Sequence, residues 1–221
     1  GYAIITAILL IDGLLFNFFA MGEGAKYSHE VLEQFFYLSS GTTMIAGILV
    51  AMPTLAEERD NGTDVLLRTS AVSDGAVVFG KYLGALGILT VLIGLTAYMP
   101  GLVMVNGKIS VAHVAVGYLG LWLLGSAVVS IGVFSSSLFR TQLPAGVIGG
   151  VITVTFLLGW LGSKVTDPPF TEVLAYSALF DKHFQPFLEG RLTSSGVVFY
   201  LSLTFLFLML ATRVLQSRRH E

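Results

Sequence analysis

Long apolar runs alternate along the chain with short polar connections. Six runs reach the length of about 20 apolar residues that a membrane-crossing helix needs: residues 2–21, 35–55, 82–105, 111–138, 143–162 and 196–212. Inside these windows only one side chain is charged, Asp12. A core helix of a soluble protein would still carry polar residues on its outer face. The pattern therefore predicts an all-α, polytopic membrane protein: one transmembrane domain over residues 1–221 with six spans.

The connections have their own grammar. Residues 22–34 are polar and glycine-rich, and read as an external loop with a short helical stretch around Glu30. Residues 56–81 hold eight charged side chains, Glu57, Glu58, Arg59, Asp60, Asp64, Arg68, Asp74 and Lys81, the densest such stretch in the chain. Within it Asn61-Gly62 is a helix-stop signal, and Thr63 can cap a short surface helix through Val65, Leu66 and Leu67. Ser73 can cap a further helix that opens on Asp74, whose carboxylate suits the positive helix end, and runs into the third span. In residues 163–195, Asp167-Pro168-Pro169 breaks whatever precedes it. Phe170 to Phe187 then mixes aromatics with Glu172, Asp181 and Lys182, which predicts one or two short external interfacial helices. Tyr176, Phe180, Phe184 and Phe187 fall at helical spacing, as for core packing or an aromatic belt. Gly80 with Gly84, Gly146 with Gly150, and Ser126, Ser130 and Ser137 predict close helix–helix contacts.

Composition agrees with the pattern: 54% of residues are hydrophobic and 12% charged, about half the charge of a soluble domain. With a net charge of −2 and no basic block, nothing in the sequence suggests a nucleic-acid partner. The chain has no cysteine, which removes disulfides, thiolate metal sites and cysteine nucleophiles. Connections 56–81, 139–142 and the tail from Arg213 carry seven Lys and Arg against five in the opposite set. The Arg218-Arg219 pair beside the last span adds to that bias, so both termini are expected in the cytoplasm. The first span has no charged lead-in and no small-residue cleavage site, unlike a signal peptide.

Most familiar chemistry fails on inspection. Gly75 to Lys81 matches the first seven places of a phosphate-binding loop, but Tyr82 stands where a Ser or Thr must ligate magnesium, and no strand precedes it. His29, His113, His183 and His220 are scattered, so no metal site is expected. No nucleophile elbow is present. Asp12 is the one intramembrane polar candidate. A proton relay normally needs several such groups, so the simpler expectation is that Asp12 lies near the outer end of its helix or is held neutral against small residues.

The segment Ala56-Glu57-Glu58-Arg59-Asp60-Asn61-Gly62-Thr63, followed by Leu66-Leu67, Val72-Ser73-Asp74 and Gly80-Lys81, resembles the signature of ABC type-2 transporter permeases. It is most similar to the compact gliding-motility and copper-processing type. Ala71 stands where many members have Pro, and the amphipathic helix that usually precedes the first span is absent. The resemblance implies six spans in the inner (cytoplasmic) membrane, a cytoplasmic coupling helix in 56–81, and an exporter without its own ATPase. ATP would be bound by a separate cytoplasmic ATPase subunit, and the chain itself would need no cofactor. Leu66 and Leu67 would seat in that subunit, Glu57, Glu58 and Arg59 would fix the end of the second span, and Gly62, Thr63, Gly80 and Lys81 would complete the coupling element. A second permease copy or a paralogue is implied, with room for a periplasmic accessory protein. Two other readings remain open on the residues alone: a non-transporting membrane scaffold or assembly factor, and an ion-coupled transporter centred on Asp12.

Overall fold

The computed structural model describes residues 2–20, 27–63, 72–106, 109–159, 161, 176, 178–180 and 182–219, and all regular structure among them is helical. The elements are α1 (Tyr2–Leu15), a π-helix (Phe16–Ala20), α2 (Ser28–Ala51), α3 (Pro53–Asp60), α4 (Asp74–Leu95), α5 (Tyr98–Asn106), α6 (Val111–Leu138), α7 (Gln142–Leu157), α8 (Gln185–Leu188) and α9 (Ser194–Arg219).

Four helical stretches are long and apolar enough to cross a membrane: Ser28–Asp60, Asp74–Val105, Val111–Leu138 and Ser194–Arg218. Two shorter apolar helical stretches among the described residues, Ile5–Phe19 and Gln142–Leu157, lie where the first and fifth spans are expected. The first of them runs from α1 on into the π-helix.

Helix ends largely follow the sequence signals. Ser73 Oγ accepts from the Ala76 N–H and opens α4 at Asp74; Ser110 Oγ accepts from the Ala112 N–H and opens α6 at Val111. Two expected spans are interrupted, each by proline chemistry. Pro53 has no N–H to continue α2, so α3 starts there as a separate helix. Pro100 cannot donate to the Thr96 carbonyl, and the Met99 N–H takes it instead at 3.0 Å, separating α5 from α4.

α6 is the hub. It packs against α2, α3, α4, α7, α8 and α9, and its apolar window is 67% buried against 28% for α9. α2 and α6 run parallel in constant register: Phe36 meets Gly117, Gly47 meets Val128, Ala51 meets Gly132 and Leu55 meets Ser136. A Cβ added at Gly132 would lie 2.5 Å from the Ala51 Cβ, so only glycine lets these backbones approach. The expected glycine pairs behave otherwise. Gly80, Gly84 and Gly150 face open space, and only Gly146 touches another helix, at the Met52 sulfur.

At the end of the bundle away from the charged loop, Phe184 and Phe187 are fully buried. The aromatic spacing does not come from one continuous helix, because residues 182–184 form turns before the helix Gln185–Leu188. Residues 162–175, 177 and 181 lie outside the described residues. Two histidines pin this region: His113 Nε2 lies 2.6 Å from the Leu188 carbonyl oxygen, and His183 Nε2 lies 2.8 Å from that of Tyr176. The His183 ring stacks on Phe199 with centroids 3.8 Å apart.

Candidate functional site

The charged connection begins where α3 ends, and that end is built by local hydrogen bonds. The Thr63 N–H donates to the Glu58 carbonyl (2.8 Å), the Gly62 N–H to the Arg59 carbonyl (3.2 Å), and Gly62 takes φ +70°. This is the Schellman stop that Asn61-Gly62 predicts, with glycine at the left-handed position. Thr63 Oγ1 also donates to the Glu58 carbonyl at 3.1 Å, so its hydroxyl serves the closure of α3. Residues 64–71, with the expected helix and its Leu66 and Leu67, lie outside the described residues.

Around this stop the structure collects Glu57, Glu58, Arg59, Gly62, Thr63, Gly80 and Lys81. Lys81, on the first turns of α4, forms an ion pair with Glu58 on α3. Between the two helices runs a groove of about 450 Å³ whose lining includes Pro53, Glu57, Glu58, Asn61, Lys81 and Gly84. Gly80 and Gly84 leave it open, since no neighbouring atom lies within 4 Å of where their Cβ atoms would be.

Arg59 turns the other way, toward the hub. Its Nη1 donates to the carbonyls of Ser137 (2.6 Å) and Phe139 (3.0 Å) at the end of α6. Arg218 Nη2, from the end of α9, donates to the Leu138 carbonyl at 2.7 Å. The last carbonyls of a helix have no partner within it and carry partial negative charge. Two guanidinium groups from two other helices thus close the end of α6 and tie α3, α6 and α9 together.

Ser136 adds a third tie. Its Oγ accepts from the N–H groups of Leu55 (3.0 Å) and Ala56 (2.9 Å) and donates to the Met52 carbonyl (2.8 Å). These are the backbone groups that the Pro53 break leaves unpaired, and the hydroxyl's full capacity of one donated and two accepted bonds is used. Ser136 does not stand out in the sequence, and Arg218 does so only as a member of the Arg218-Arg219 pair that bears on orientation. The available hints were a Ser-Ser-Ser run closing one apolar segment opposite a proline in another.

Asp12 is apart from this cluster. It lies between α1 and α2, 4% exposed, with Oδ1 2.8 Å from Thr42 Oγ1. Among the described residues no group of three or more His, Asp and Glu side chains could hold a metal ion. No family model matches the sequence, and no curated protein matches it.

Proposed function

We propose that the chain is the membrane-spanning permease subunit of an ATP-binding cassette transporter, working as an exporter and driven by a separate cytoplasmic ATPase. In this reading α1 and α7 also lie within the cytoplasmic membrane and complete six spans, both termini face the cytoplasm, and two permease subunits act together as a homodimer or with a paralogue. ATP stays on the partner subunit.

One observation carries the reading. The residues that resemble the permease signature form a mechanical frame at one end of the bundle: Glu58 braces α3 to Lys81 on α4, and Arg59 fastens α3 to the end of α6. Residues 64–71 join the two braced helices. A force applied there reaches α6, the helix that touches most of the bundle, without first deforming a soft connection. This is the layout required of a subunit that receives its power stroke through a loop.

Co-purification with candidate cytoplasmic ATPases, before and after L66D/L67D, tests it. The intact protein should retain an ATPase and stimulate its turnover, and the double variant should lose both. Failure of the intact protein to bind any ATPase, or binding and turnover that ignore the substitutions, would overturn the proposal.

A further inference from the structure

α1 is seated on the bundle by one stripe of side chains. Ile8, Asp12 and Phe16, spaced by four residues, are buried, whereas Leu10, Ile11 and Leu14 are exposed. Phe16 meets Phe35 of α2 edge to face, with centroids 5.7 Å apart. A carboxyl group therefore sits in the middle of an otherwise apolar contact. Its one hydrogen bond to a described residue is with Thr42, and none of the ion pairs among the described residues includes it.

The Thr42 hydroxyl has one proton and two acceptors in reach, Asp12 Oδ1 at 2.8 Å and the Ser39 carbonyl at 3.1 Å. An ionised Asp12 must draw on that single proton, shared with the Ser39 carbonyl, and it buries a charge in an apolar contact. A protonated Asp12 buries no charge and lets both bonds form: it donates to Thr42 Oγ1, and Thr42 donates to the Ser39 carbonyl.

Two other buried threonines in the bundle fit the same scheme. Thr96 gives its proton to the Ile93 carbonyl (2.7 Å) and so accepts from Tyr118 (3.2 Å). Thr204 gives its proton to the Tyr200 carbonyl (2.8 Å) and accepts from Ser126 (3.1 Å), which accepts from Tyr82 (2.9 Å). In each case a threonine passes its proton to a carbonyl on its own helix and takes one from a neutral donor on another. At Thr42 the donor on the other helix is Asp12.

We propose that Asp12 is a proton-binding site, and that its bound proton latches α1 onto α2. Among the described residues the polar groups near it are the Thr42 hydroxyl and Ser39 carbonyl of α2, the Tyr118 hydroxyl of α6, and the Tyr98 hydroxyl of α5, which approaches Gly13. The charged residues of α2, Glu30 and Glu33, lie about 18 and 13 Å along the helix from Thr42 at 1.5 Å per residue. Loss of the proton leaves a bare charge in an apolar seam, and α1 must leave its seat for the carboxylate to reach water. The π-helix begins at Phe16, one turn after Asp12, and π-helical turns occur frequently at functional sites. This latch needs no docked ATPase.

The test uses the whole protein in lipid nanodiscs. Infrared spectra at neutral pH should show a protonated-carboxyl C=O band that disappears in Asp12→Asn. In Thr42→Val the band should move to higher frequency, since the acid has lost its acceptor, and Thr42→Ser should leave it in place. The chain has no cysteine, so spin labels at Leu10→Cys and Tyr37→Cys report the α1–α2 distance. A single short distance should give way to a second, longer one as pH rises, and should stay short at every pH in Asp12→Asn. A neutral-pH spectrum without the acid band, a band that ignores Thr42→Val, or a wild-type distance independent of pH would each overturn the proposal. If Asp12→Asn does not fold, the Thr42 pair and the wild-type titration decide it.

Discussion

The guanidinium of Arg59 donates to the carbonyl of Ser137, which joins the charged end of α3 to the last turn of the most buried helix. The contact lies 78 positions apart in the chain, and it gives one member of a charged triplet a structural duty of its own. Arg59→Ala should lower unfolding stability by about 1.5–3 kcal/mol, the usual contribution of a hydrogen bond to a charged group. Arg59→Lys should recover only part of it, because both bonds come from Nη1 at the far end of the guanidinium, and the shorter lysine stem sets its ammonium about one bond back. Denaturant titration in detergent measures both.

Ser136→Ala should cost about 1–3 kcal/mol, since two backbone N–H groups and one carbonyl lose their partner in a buried site. Pro53→Ala restores the missing N–H and allows α2 to run on into α3. In that background Ser136→Ala should cost clearly less, and the coupling in the double-mutant cycle checks whether the serine substitutes for the helix ladder.

Glu58 and Lys81 are each about one quarter to one third exposed, so their ion pair should contribute no more than about 1 kcal/mol, and less at high salt. Its weight should show in coupling. E58K and K81E should each reduce ATPase stimulation, and the combined swap should restore it. Turnover assayed with the partner ATPase at low and high salt provides the reading.

The glycines divide sharply. Gly132→Ala should destabilise by about 1–3 kcal/mol through overpacking against Ala51. Gly84→Ala, with nothing within 4 Å, should be neutral or stabilise by roughly 0.5–1 kcal/mol through helix propensity. Thermal melts of the two variants in detergent make the comparison.

His183 should make the region around α8 sensitive to acid. Burial pushes its imidazole pKa down; the hydrogen bond to the Tyr176 carbonyl opposes this, and the Lys182 charge adds to it. Nδ1 is buried with no hydrogen-bond partner among the described residues. The unfolded chain therefore takes up the proton first. Stability is complete above the ordinary histidine value of about 6.5 and declines as pH falls from there toward the lowered folded value. His183→Gln should flatten that decline. Hydrogen exchange of residues 182–192 across pH 5 to 8 measures it.

The apolar runs by themselves determined a helical membrane protein, and short-range chemistry determined where several helices begin and end. Ser73 and the Asn61-Gly62 stop each act within a few residues, so their signals survive in a linear reading. The pairing of faces was decided only in three dimensions. In a membrane, lipid is as apolar as the protein interior, so no amphipathic period distinguishes the buried side of a span from the exposed one. Gly80 and Gly84 carry the same small-residue signature as Gly132, yet only Gly132 has a helix against it. The contacts that define the charged end, Arg59 with Ser137, Arg218 with Leu138 and Ser136 with Leu55, join residues about 80 positions apart. Asp12 was visible as a solitary charge, but its partner Thr42 was not. Hydrogen bonds between helices depend on the register of packed surfaces, and that register exists only once the bundle has formed.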